Sequence, residues 1–74
     1  MEELINILKG LHQEVDYDKE DKLIDNMILD SFDIVTLMSE IWEHFDVEIL
    51  AEHLTPENFN SAKAIYNLIQ ELQD

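Results

Sequence analysis

Between residues 31 and 45 the apolar side chains recur at helical intervals for about four turns. At 100° per residue, Ile34, Val35, Leu37, Met38, Ile41, Trp42 and Phe45 share one arc. Asp33, Thr36, Ser39, Glu40, Glu43 and His44 fall on the opposite arc. A pattern of period 3.6 cannot sit still as a strand, so this stretch predicts an amphipathic helix that needs an apolar partner. Ser31 precedes the pattern as a natural N-cap, with Asp30 and Asp33 at the positive end of the helix dipole. Phe32 breaks the pattern, projecting onto the polar side right beside the cap.

The rest of the chain supplies matching partners. Leu4, Leu8, Leu11 and Val15 follow helical spacing and predict a first helix over residues 3–15, with Glu2 and Glu3 at its dipole-favoured start. Gly10 weakens that helix locally. Residues 16–30 read as a long connection, polar from Asp16 to Lys22 and apolar from Leu23 to Leu29. Thr55-Pro56-Glu57 predicts a short helix with a hydroxyl at N-cap and Pro at N1, about one turn long because Asn60-Ser61 begins another capped segment. Ala62, Ile65, Leu68, Ile69 and Leu72 then mark a final helix. One Gly and one Pro leave almost no positive-φ turn residues for hairpins. The expectation is an all-α domain over residues 1–74, three long helices plus one short one, with a long loop between the first two. Core candidates are Leu4, Leu8, Leu11, Leu37, Ile41, Phe45, Ile49, Ile65, Leu68 and Ile69. The aromatics Trp42, Phe45, Phe59 and Tyr66, and the three methionines, also read as core at this spacing. At this length a single core supplies only ~3–5 kcal/mol.

Charge narrows the partners. Eighteen acidic side chains face four basic ones, giving a formal net charge of −14. Such a surface repels nucleic acid and anionic membranes, and suits proteins carrying basic patches. Without cysteine there is no disulfide or thiolate zinc site. The acidic start Met1 to Leu4 is unlike a secretory signal, and no apolar run approaches membrane-spanning length. A cytoplasmic protein with no integral membrane association is expected.

Chemistry within the chain finds little support. Asp16, Asp18 and Glu20 imitate the opening of a calcium loop, but Asp21 stands where Gly is needed and Met27 where the closing Glu belongs. His12, His44 and His53 are not paired at ligand spacing. Ser31 lacks the Gly-flanked turn of a hydrolase nucleophile. No metal and no catalytic residue are expected.

The setting of Ser31 points elsewhere. Asp30-Ser31-Phe32-Asp33-Ile34-Val35-Thr36-Leu37 resembles the Asp-Ser-Leu-Asp-x-Val-x-Leu signature of acyl carrier proteins. The resemblance continues through Ile41 and Phe45-Asp46-Val47-Glu48-Ile49, then Thr55-Pro56-Glu57-Asn58-Phe59 and Ser61-Ala62, covering roughly residues 23–72. Phe32 stands for the usual Leu, Thr36 for a common Glu, and Leu50 for a frequent Pro. Ile28-Leu29 replace a Gly-containing turn, and Ile28-Leu29-Asp30-Ser31-Phe32 is also similar to the Leu-Leu-Asp-Ser-Phe of D-alanyl carrier proteins.

The resemblance implies a small acyl-carrier-like bundle, a monomer, with 4′-phosphopantetheine attached covalently to Ser31 by a separate phosphopantetheinyl transferase. It implies a non-catalytic carrier of thioester-bound acyl groups, or of aminoacyl groups on the same arm. Loading and accepting enzymes with basic docking surfaces would meet the second helix, at Asp30, Phe32, Asp33, Val35, Glu40 and Glu43. The competing expectation is a helical interaction module without a prosthetic group, in which Ser31 serves only as a cap.

Overall fold

The computed structural model describes residues 1–73. Four α-helices follow in order: α1 (Glu2–Leu11), α2 (Ser31–Phe45), α3 (Pro56–Phe59) and α4 (Ala62–Gln73), with a 3-10 turn at Ala51–His53. No strand occurs among the described residues, and none of their helices is long and apolar enough to cross a membrane. α1 packs on both α2 and α4, and α3 packs on α4. The helix interiors meet at Leu4, Leu8, Leu37, Ile41 and Ile65, all at 0% exposure, with Phe59, Ala62, Leu68 and Ile69 also buried.

The first helix stops four residues short of the expected end at 15. His12 turns extended (φ −144°, ψ 92°), its N–H closing on the Leu8 carbonyl. The Tyr17 hydroxyl lies 2.8 Å from the Leu8 carbonyl and 3.0 Å from the His12 carbonyl, its single proton shared between them. A buried phenol thus adds a second donor to carbonyls at the helix end and finds the partner its own hydroxyl needs. Tyr17 sits within the run that reads as polar, yet it is 5% exposed. Burial, then the carboxylates of Glu14 and Asp33, push its hydroxyl up to about 12.

The long connection is pinned rather than loose. Leu23 is fully buried, and its carbonyl accepts from the amides of Ile28 and Leu29. Asn60, just after α3, holds the same loop from outside. Its backbone carbonyl accepts from Leu23, its Oδ1 accepts from Ile24 and Asp25 at 3.0 and 3.1 Å, and its Nδ2 donates to Asp25. The bend that results places Met27 at φ 57°. Tyr17, Leu23, Leu29, Val47 and Ile49 bring the connections into the core alongside the helices.

Other expectations need correction. Leu11 and Phe45 pack against the core but are only partly buried. Val35 and Trp42 share the apolar arc by projection, yet both are 62% exposed. Met1 and Met27 are exposed as well, leaving Met38 as the methionine packed on the core. The short helix follows its sequence: Thr55 Oγ1 accepts from the Asn58 amide at 3.3 Å and Pro56 opens α3. Ser61 Oγ accepts from the Ala64 amide and caps α4 in the same way.

Candidate functional site

The cap of α2 is Asp30, not Ser31. The Asp30 carboxylate accepts from the Asp33 amide at 2.9 Å, and the Asp33 carboxylate accepts from the Asp30 amide at 3.3 Å. This reciprocal pair is the acidic version of a capping box. A carboxylate makes a stronger acceptor for a backbone N–H than a hydroxyl does, so Asp30 takes the role from the serine beside it. Ser31 becomes the first helical residue, exposed, with its hydroxyl released from capping duty. The amides of Ser31 and Phe32 belong to the first turn and have no acceptor within the helix.

Asp33 has a second partner. His12 Nε2 lies 2.6 Å from Asp33 Oδ2, tying the end of α1 to the first turn of α2. That hydrogen bond raises the His12 pKa against the opposing effect of burial, with the charges of Asp33, Glu14 and Asp30 adding to the rise. The same bond lowers the Asp33 pKa, helped by the Asp30 amide and opposed by burial.

Beside Ser31 opens a groove of about 380 Å³. Leu29 and Phe59 form its buried floor, Ile24, Ile34 and Met38 its half-buried walls, and Asp30, Ser31, Val35 and Leu54 its exposed rim, with Thr55 completing it. The volume is within the range of small-molecule sites, ~300–1,000 Å³. A second groove of about 270 Å³ shares Val35 and Met38 with the first and continues along α2 to Trp42, Glu48 and Ile49.

The remaining expected contact residues divide into two groups. Phe32, 77% exposed, and Val35 stand free on the surface next to Ser31, and Asp30 and Glu43 are exposed. Asp33 is held by His12, and Glu40 lies 3.3 Å from His44 Nε2. Two residues of this region escaped sequence reading. Trp42 counts as core by projection, and His12 lies 21 positions from the carboxylate it meets, a pairing no local pattern announces. His53 is used locally, its Nδ1 accepting from the Leu50 amide at 3.0 Å.

No protein-family model, curated protein or solved structure matches this chain.

Proposed function

We propose that the protein is a carrier that bears 4′-phosphopantetheine on Ser31 and passes thioester-bound acyl groups between enzymes. One observation carries the reading: an exposed serine at the first position of a capped helix, on the rim of an apolar groove. The Ser31 setting fits the group on three grounds. Its hydroxyl is not spent on the cap. The free amides and dipole of the first turn favour an anion such as a phosphodiester. The imidazole of His12 offsets Asp33, one of the two carboxylates nearest the serine. When bound, the group supplies a long arm and a thiol that holds cargo as a thioester.

The protein's own residues then have separable roles. Ser31 Oγ provides the attachment oxygen. Leu29, Ile34, Met38 and Phe59 offer an apolar lining to cargo held near the surface. Trp42 points outward and does not fill that groove. The apolar lining favours an acyl cargo over a charged aminoacyl one, which is the alternative use of the same arm. In this reading the helices form an acyl-carrier-like bundle acting as a monomer, without catalysis of its own. Its partners are a phosphopantetheinyl transferase and basic-surfaced loading and accepting enzymes. Asp30, Phe32, Val35 and Glu43 are the contacts free to meet them, with Trp42 added. Asp33 and Glu40 contribute while paired to histidine.

Incubation with coenzyme A, magnesium and a broad-specificity phosphopantetheinyl transferase tests this. The expected result by intact-mass spectrometry is a gain of one phosphopantetheinyl unit, absent in Ser31→Ala. An unchanged mass with several transferases would leave the rival reading, a helical interaction module that offers the exposed apolar side of α2 to a partner.

A further inference from the structure

We propose that His12 is a protonation-dependent clasp at one end of the α1–α2 seam, and that opening it loosens the turn carrying Ser31. The two helices run in opposite directions, so each end of one meets the far end of the other. His12, just past α1, reaches Asp33 in the first turn of α2. His44, in the last turn of α2, reaches Glu3 in the first turn of α1 at 2.9 Å. Among the described residues every ion pair runs through one of these two rings, and no lysine takes part.

At His12 one ring nitrogen is hydrogen-bonded to a carboxylate and the other faces a second carboxylate. His12 shows Nε2 to Asp33 at 2.6 Å and Nδ1 to Glu14 at 3.6 Å. His44 shows Nδ1 to Glu3 at 2.9 Å and Nε2 to Glu40 at 3.3 Å. A neutral imidazole has one N–H and one lone pair, so it turns a lone pair toward one of its two carboxylates. At His12 the imidazolium keeps the hydrogen bond to Asp33 and faces Glu14 with a positive charge instead of a lone pair. Asp30 adds its field to that of Asp33 and Glu14 at His12, and Tyr17 meets the His12 backbone carbonyl rather than the ring.

One flank of the α1–α2 seam is not closed by packing. A groove of about 450 Å³ runs along it, bordered by Asn6 and Gly10 of α1 and by Thr36, Glu40 and His44 of α2. Ile7 and Leu11 are only partly buried there. In a chain of net charge −14, loss of the His12 imidazolium leaves Asp33, Glu14 and Asp30 uncompensated at one end of this groove. At the Ser31 end the consequence is direct. Asp33 Oδ2 accepts from both His12 and the Asp30 amide, so loss of the His12 contact acts on an oxygen of the α2 cap itself.

The sign of the pH effect follows from the His12–Asp33 pair. The His12 pKa is raised in the folded state, so its contribution is complete below the ordinary value of 6.5 and is lost as pH rises through the higher folded value. The Asp33 pKa is lowered, so its contribution is complete above the ordinary 3.8 and is lost as pH falls through the lower folded value. The clasp is fully formed between those two limits and opens on the alkaline side.

The test needs only the protein itself. Thermal unfolding at pH 5.5 and 8, amide hydrogen exchange corrected for intrinsic rates, and nitrogen-15 shifts of the imidazole rings are compared for wild type and His12→Gln. His53→Gln serves as a control, because its Nδ1 accepts from the Leu50 amide. The wild-type Tm is expected to fall by about 4–8 °C between the two pH values. Amides of α1 and of the first turn of α2 should exchange about tenfold faster at pH 8, in step with loss of the doubly protonated ring signals. His12→Gln should lose most of that slope, and His53→Gln should keep it. A flat wild-type Tm, or a His12→Gln variant with the wild-type slope, would overturn the proposal. Should His12→Gln not fold, unchanged wild-type exchange at pH 8 overturns it and faster exchange confined to these segments supports it.

Discussion

The two sides of α2 are built from the same kind of residue and meet different fates. On the inner side Leu37 and Ile41 are fully buried, with Ile34, Met38 and Phe45 packed around them. On the outer side Phe32, Val35 and Trp42 are 77%, 62% and 62% exposed. A helix that is apolar over such a wide arc is normally surrounded, yet here no other helix covers the outer side. The difference teaches that periodicity reports how much apolar surface a helix carries, whereas tertiary partners decide which part is covered. Aromatic residues left outside beside Ser31 are what the proposed docking surface requires, since Trp is frequent at the energetic centres of interfaces.

The largest test of that contrast compares truncations on the two sides. Leu37→Ala removes a fully buried side chain and is expected to cost about 2–5 kcal/mol. Against a total of ~3–5 kcal/mol for a domain this small, much of the population would unfold at room temperature. Trp42→Ala should change stability by no more than about 0.5 kcal/mol, because little of the ring is covered. Urea unfolding followed by far-ultraviolet circular dichroism reads both variants. A loss above ~2 kcal/mol in Trp42→Ala would break the comparison by showing the outer side to be part of the core.

Much of this arrangement is legible in the sequence, and the illegible parts have physical causes. The second helix begins and ends at the residues its pattern indicates, because an acidic cap and Asp46 in left-handed geometry (φ 57°) close both ends locally. Thr55 and Pro56 announce α3 for the same reason. The end of α1 is hidden because it depends on Tyr17, a residue outside the helix whose neighbours are all polar. The pinning of the long loop is hidden because Asn60 acts across 35 and 36 positions. Ser31 reads as the cap from sequence, but that role belongs to Asp30, and two adjacent capping residues are hard to rank by type alone. Local chemistry is readable; contacts made at a distance are not.

The next test sharpens the boundary between the two sides, where α2 starts. Asp30→Ala deletes the carboxylate that holds the Asp33 amide and should cost about 1 kcal/mol. Ser31→Ala should cost only a few tenths, as Ala is a strong helix former at an exposed first position. Equal losses in chemical denaturation would return the cap to the serine and weaken the argument that its hydroxyl is free for modification.

The smallest expected effect concerns the flank of α2 that faces α1. Gly10 lies in the last turn of α1 and lines the open groove opposite Thr36 and Glu40. A Cβ added there meets nothing within 4 Å. Helical backbone favours Ala over Gly by about 0.5–1 kcal/mol, chiefly because Gly has more freedom to lose on folding. Gly10→Ala should therefore stabilise the protein by an amount near the lower end of that range, since helix ends fray and count for less. The measurement is the midpoint of urea unfolding with an unchanged m-value. Destabilisation instead would mean that α1 and α2 approach more closely in solution than this groove allows. The flank would then join the inner side as packed surface, and the His12 contact would no longer be needed to hold it shut.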